Sequence, residues 1–263
     1  MSLPVEVLEA VRQRRCALAL GGHASREAAR AAGREWHGAA DLARRLGWEP
    51  PKRLTGQRGR HVMPSVEEGA AAFEAAHGRD ALLRHLRGLA GLEGVAPTAV
   101  HRTALARFPV ILTTAWDGLL ERCAREEGVA AEFLPRGRPL PEAAAGPVVV
   151  RMRGAFSDPA SLVVTASDHA AGAPSAEARR AFRALARSHV LLFVGYRPDE
   201  EEFDRLWEDL TDLYGGELPR CHMAVAQGRM DDFLWQKWVW RGLLLFTSDP
   251  LECMAGIEGG TAG

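Results

Sequence analysis

A surplus of charge of either sign is missing from this sequence: Lys and Arg number 33 against 34 Asp and Glu, a formal net charge of −1. That balance builds no one-signed field of the kind that draws a protein onto a phosphate backbone, so direct nucleic-acid binding is not expected. Long apolar runs are missing too. No stretch approaches the ~20 residues of a membrane span, and the first apolar run, Cys16–Leu20, falls short of the ~7–15 residues of a secretory core. No membrane partner is expected, and a cytoplasmic location is the simplest reading. Close cysteine pairs are also lacking. Cys16, Cys123, Cys221 and Cys253 form no CxxC, whereas structural zinc sites bring their ligands in close pairs. No metal is expected, and the four thiols read as buried and reduced.

What is present, in a chain of 263 residues with 47% hydrophobic content, is an alternation of short apolar runs with amphipathic stretches. That is the rhythm of an α/β protein. Strands are expected at Cys16–Leu20, Val110–Thr113, Glu132–Leu134, Val148–Met152, Val190–Val194, Cys221–Ala226 and Leu243–Phe246. One long helix is expected from about Ser25 to Leu46, stopped by Trp48–Pro51, and Ser25 reads as its N-cap. The basic, aperiodic stretch Lys52–Met63 reads as a loop. Helical patterns follow at about Val66–Ala76, Asp80–Leu89, Thr98–Phe108, Asp117–Glu127, Ser175–Ser188 and Glu200–Leu213, with a Trp-rich helix before the last strand. Strands separated by helices imply a mainly parallel sheet covered on both faces, whose ligands bind beyond the strands' carboxyl ends.

Those ends carry the informative residues. The first strand runs into Gly21-Gly22-His23-Ala24-Ser25, a glycine turn opening a helix and therefore a candidate phosphate cradle. The second ends in Thr113-Thr114-Ala115-Trp116-Asp117. After Val148–Met152 come Arg153-Gly154 and then Ser157–His169, and the fifth strand runs into Gly195-Tyr196-Arg197, with Phe203 a little beyond.

In this order the segments resemble the prokaryotic sirtuin-like (SIR2-like) domain family, with its GAGxS loop, TTNYD motif, LHG, SDPxSLVxTxxDY pattern and GYSxxDxxF. The resemblance runs from about Val11 to Phe246. It implies a Rossmann-type, mainly parallel sheet with helices on both faces and a helical insertion after the first strand. The chain is expected to form a single domain over 1–263 with the excursion at about 26–105. It also implies an NAD pocket at Gly21, Gly22, His23, Ser25, Thr114, Asp117, Gly195 and Arg197. Catalytic members of the family cleave the nicotinamide–ribose bond, many as NAD-depleting effectors of bacterial antiviral defence.

The catalytic positions depart from the family pattern. Its motif asparagine is matched by Ala115, which has no side-chain hydrogen bond to offer. Its histidine is matched by Arg153, which cannot shuttle a proton near neutral pH. The second loop glycine is matched by His23, whose side chain is expected to project where a pyrophosphate approaches backbone, and the serine of GYS by Arg197. Losing one transition-state donor typically costs about 100–1,000-fold in rate. The expectation is therefore a catalytically degenerate SIR2-like protein, a non-catalytic binding or assembly subunit with a protein partner or a second copy, requiring no cofactor. The alternative is an NAD-hydrolysing or NAD-binding effector with a rebuilt pocket, in which Arg153 or Arg197 grips a phosphate of NAD or ADP-ribose.

Three other groupings read as structural. Ser25, His23 and Asp117 have the types of a nucleophilic triad, but no GxSxG elbow accompanies them. Asp199, Glu200, Glu201, Glu202, Asp204, Glu208 and Asp209 read as the solvated face of a helix whose Phe203, Leu206, Trp207 and Leu210 turn inward. His169 reads as a surface or capping residue. Trp235, Trp238 and Trp240 read first as core packing, although one helical face holds Trp235 and Trp238 but not comfortably Trp240, and aromatic anchors are also enriched at interfaces.

Overall fold

A computed structural model describes residues 3–49, 65–171, 173–226 and 230–261. The basic stretch Lys52–Met63 and the Pro50–Pro51 stop lie outside them. Twelve helices and seven strands follow one another along the described chain. Helix α1 (Val5–Arg12) leads into β1 (Cys16–Leu20), followed by α2 (Arg26–Ala31), α3 (Ala39–Arg45), α4 (Val66–His77), α5 (Arg79–Ala90) and α6 (Ala99–Arg107). The rest run β2 (Val110–Thr113), α7 (Leu119–Glu126), β3 (Glu132–Pro135), β4 (Val148–Arg151), α8 (Ala166–Ala171), α9 (Ala176–Ala186), β5 (Val190–Val194), α10 (Glu201–Leu213), β6 (Arg220–Val225), α11 (Asp232–Trp240), β7 (Leu243–Thr247) and α12 (Pro250–Thr261).

The strands form one all-parallel sheet in the order β3-β4-β2-β1-β5-β6-β7. Parallel strands are covered on both faces, which is why they read as continuous apolar runs. In β1, Cys16, Leu18 and Leu20 point into one layer and Ala17 and Ala19 into the other. The first layer is closed by α1, α6, α7 and α12, the second by α9, α10 and α11. This is the Rossmann-type α/β architecture the sequence implies. All four cysteines are free and buried, and burial pushes every thiol up, Cys123 to about 11.

A third core lies apart from the sheet layers. Leu42 and Ala43 of α3, Val66 and Ala70 of α4 and Leu82 and Leu86 of α5 pack with Phe156, Leu162 and Val164, which follow β4. The helices inserted after β1 are thereby held over the carboxyl ends of the central strands.

The expected helix Ser25–Leu46 is not continuous. A 3₁₀ turn, Gly22–Ser25, opens it, α2 stops at Ala31, and α3 starts at Ala39. Gly33 takes φ +64°, and the Arg34 N–H returns 2.8 Å to the Ala29 carbonyl, the left-handed turn that closes helices. The freed segment carries Glu35, Trp36 and His37 into the cleft described next.

Candidate functional site

Outward from β1 toward β3 and from β1 toward β7, the chain proceeds in opposite directions, so β1 and β5 flank the topological switch point where such sheets bind ligands. The loops after β1, β2 and β5 are tied together there, largely through backbone. The Gly21 N–H donates to Val194 O at 2.9 Å, the His23 N–H to Gly195 O at 3.1 Å, and the Thr113 hydroxyl to Leu20 O at 2.9 Å. The Ser25 hydroxyl donates to Asp117 Oδ2 at 2.8 Å, while Asp117 Oδ1 accepts the Leu119 N–H at 3.0 Å and so opens α7. The N-cap reading of Ser25 is thus corrected. Its backbone is already helical at the end of the 3₁₀ turn, and its side chain reaches across to the β2 loop instead of capping α2. Thr114 donates to the Tyr196 hydroxyl at 3.3 Å.

These loops and the inserted helices border a cleft that opens to solvent. Gly22, His23, Thr114, Ala115, Asp117, Arg153, Gly195 and Arg197 all line it, whereas Gly21 and Ser25 sit behind them as scaffold. The proposed triad does not assemble. Ser25 meets Asp117, but the His23 ring packs on Trp36 at 4.4 Å between centroids and turns Nε2 toward Glu200 Oε2 at 3.5 Å. His23 occupies its position without a left-handed backbone, so its ring fills the cleft and introduces no strain.

Ala115 faces the cleft with both backbone groups engaged. Its N–H donates to Thr113 Oγ1 at 3.2 Å, and its carbonyl accepts from Arg151 Nη1 at 2.8 Å. Arg197 is also committed: its Nε donates to Asp199 Oδ1 at 3.0 Å, Nη2 contacts the same carboxylate, and Glu200 stands 3.7 Å away. The Asp199 hydrogen bond holds this guanidinium above its ordinary pKa. It braces its own loop at the edge of the cleft.

Arg153 ends in a buried ion network that the sequence did not disclose. Its Nη1 donates to His169 Nε2, and Nη2 lies 3.6 Å from Asp209 Oδ2, while Arg136 Nη2 donates to Asp209 Oδ1 at 2.9 Å. The side chains of Arg136, Asp209, His169 and Arg153 are only 7–11% exposed. Burial, reinforced by Arg153 and Arg136, pushes His169 down to about 3, so the ring is neutral at physiological pH. Both ring nitrogens face guanidinium donors, Nε2 that of Arg153 and Nδ1 that of Arg136 at 3.4 Å, with Asp209 Oδ2 3.8 Å from Nδ1. His169 is therefore not a surface or capping residue. The solvated-face reading of α10 is corrected in the same way. Phe203, Leu206 and Leu210 are buried as expected, yet Asp209 is buried with them, Glu200 is half-buried beside His23, and Asp204 is held by Lys237 and Arg241. Glu208 alone of that run is fully on the outside.

Sequence reasoning also missed Trp36, Glu67, Trp116 and Glu202 as cleft residues. Glu202 Oε1 accepts the Val66 N–H at 3.2 Å, but Oε2 is buried without a hydrogen-bond partner. Burial pushes this carboxyl up to about 7, and Glu200 and Glu201 add to the effect. Glu202→Gln keeps an oxygen for Val66 and removes the ionisation. In the wild type the unfolded chain gives up this proton near 4.5 and the folded chain near 7, so stability falls across that window. The variant is expected to match wild type at pH 4 and exceed it by roughly 1–3 kcal/mol at pH 8. Urea melts at the two pH values check it, and an equal difference at both rejects Glu202 ionisation as the cause.

Fold and cleft define a Rossmann-type protein with a switch-point pocket. Over residues 109–241 the chain matches the SIR2-like domain, and it belongs to that family. The matched span contains the motif segments from Thr113 to Phe203, while Gly21–Ser25 precedes it. No curated protein matches the chain.

The cleft presents few free donors to the pyrophosphate of the NAD that the resemblance implies. The Ala24 N–H returns to Gly21 O at 3.0 Å, so both it and the His23 N–H are engaged within the loops. Along the cleft, Glu35, Glu67, Asp117, Glu200, Glu201 and Glu202 outnumber Arg153, Arg197 and Arg205, a lining adverse to a pyrophosphate. No side chain at position 115 can orient a ribose, and no proton acceptor stands at position 153.

Proposed function

We propose that this chain is a SIR2-like domain that has lost cleavage of the nicotinamide–ribose bond and acts as a non-catalytic binding or assembly subunit. The observation that carries the reading is the fate of the two catalytic positions. Ala115 has no polar group left to offer, and Arg153 is locked against His169 and Asp209. Cleavage through an oxocarbenium-like transition state needs a group that orients the ribose and one that manages its hydroxyl protons. Neither is supplied here. The cleft persists because the same loops close the carboxyl end of the sheet, whatever it binds.

The direct test is incubation of the purified protein with NAD and quantification of released nicotinamide. No release above a heat-killed sample is expected, and turnover abolished by Arg153→Ala overturns the reading in favour of a rebuilt active site. Binding is separated from chemistry by a thermal melt in millimolar NAD or ADP-ribose. Ligand at 100 times its Kd adds about 2.7 kcal/mol, so an unchanged midpoint in 1 mM nucleotide excludes binding with a Kd of about 10 μM or tighter. Restoring His23→Gly, Ala115→Asn and Arg153→His together is expected to raise nicotinamide release from none to a trace.

A further inference from the structure

The inserted helices meet the rest of the fold in two chemically different ways. Val66 and Ala70 of α4 and Leu82 and Leu86 of α5 share an apolar core with Phe156, Leu162 and Val164, and Arg79 donates to Leu162 O and to Asp168 at 2.9 Å each. The buried apolar residues of α10 belong to a sheet layer and not to that core. The contact of α4 with α10 is instead polar and joins two helix amino ends. Glu202 Oε1 accepts the Val66 N–H at 3.2 Å, the Ser65 hydroxyl donates to Glu201, and Arg205 Nη2 lies 2.9 Å from Glu67 Oε2.

Carboxylates in a first turn suit a helix dipole, and α4 carries Glu67 and Glu68 there, α10 Glu201 and Glu202. Where the two ends meet, these groups share one site. Glu67 and Glu68 repel Glu201, while Glu200 and Glu201 repel Glu202. The donors around them are committed. Arg205 faces Glu67, Trp48 Nε1 donates to Glu68, His23 and Arg197 face Glu200, and Arg153 is held by His169 and Asp209. Among the described residues no donor reaches the buried Glu202 Oε2. A protonated Glu202 keeps its bond to Val66 and adds no charge. An ionised one holds an uncompensated charge that water relieves once α4 separates from α10.

We propose that this contact is a clasp on the cleft, shut while Glu202 is protonated and released when it ionises, so that the inserted helices lift from α10 and the cleft widens. The carboxyl titrates near 7 in the folded chain and near 4.5 when free. The clasp therefore weakens as pH rises from about 4.5 and is weakest above 7, and local opening increases on the order of 100-fold across that window. The apolar core keeps the inserted helices anchored to the segment after β4, which makes the opening local.

Amide hydrogen exchange, corrected for its intrinsic pH dependence, reads the opening directly. The amides of α4 are expected to exchange faster than those of β1 and to speed up on the order of 100-fold between pH 5 and pH 8. Glu202→Gln keeps an acceptor for Val66 and is expected to remove that rise. Exchange of α4 at the rate of β1 makes the loss global and overturns the clasp. So does a flat profile in the wild type, or an equal rise in Glu202→Gln. Widening of the cleft has its own reporter, because Ala115 lines it and the native thiols are buried. At pH 8, Ala115→Cys is expected to react with a bulky thiol reagent faster alone than combined with Glu202→Gln, and equal rates overturn the proposal. The clasp governs access to the cleft whatever its chemistry, so nicotinamide release overturns the loss of catalysis and leaves the clasp standing.

Discussion

Asp209→Ala is expected to cost about 3–5 kcal/mol, enough to lower the melting midpoint by roughly 6–20 °C. The carboxylate lies between Arg136 and Arg153 with a side chain 10% exposed, and the neutral His169 brings no compensating charge. Its removal leaves two buried guanidiniums facing each other, the situation in which breaking an ion network is most expensive. Asp209→Asn retains the shape and an oxygen for Arg136, and should recover only part of the loss. The diagnostic measurement is a double-mutant cycle with Arg153→Met. If the network is what fixes Arg153, Asp209→Ala costs markedly less once Arg153 is gone. An undiminished cost attributes the loss to Arg136 alone and frees Arg153 for the cleft, which removes the main support for loss of catalysis. The result therefore bears on function as well as stability.

The five inner strands were legible because each is a short, largely apolar run buried along almost its whole length, while the edge strands β3 and β7 are only partly buried. The ion network was not legible, for a reason of distance in sequence. Asp209 looks like one more charge on an acidic helix until Arg136 and Arg153, far away along the chain, are delivered to it by the ends of β3 and β4. Similarly, His169 reads as solvent-facing until Arg153, which lines the cleft, is seen to contact its ring. The break that places Trp36 beside His23 hides in an alanine-rich stretch of strong helix formers, where Gly33 alone signals the stop. Helices α1, α8 and α12 went unassigned. In α12 the three glycines argue against a helix by propensity, and burial of Cys253, Met254 and Ile257 against the sheet overrides them.

Two adjacent glycines at the cleft are expected to respond oppositely to the same change. A Cβ on Gly21 lands 2.2 Å from Gly195 O and 2.7 Å from the Tyr196 ring, and the obstructing oxygen belongs to backbone. Gly195 itself cannot yield easily. It takes φ +76°, and the Ala24 N lies 2.7 Å from where its own Cβ would stand. Gly21→Ala must therefore force the β1 and β5 loops apart, breaking the His23-to-Gly195 bond, at roughly 2–4 kcal/mol. A Cβ on Gly22 meets nothing within 4 Å, so Gly22→Ala is expected to stay within about 0.5 kcal/mol of wild type. Chemical denaturation of the two variants separates them. The comparison also divides the glycine turn by purpose: Gly21 holds the loops of the fold together whether or not a ligand binds, while Gly22 borders the open cleft. A Gly22→Ala protein that keeps its stability yet loses a nucleotide-dependent melting shift would assign the turn to phosphate binding. Equal melting behaviour with and without nucleotide in both wild type and Gly22→Ala leaves the turn a purely architectural feature of this SIR2-like domain.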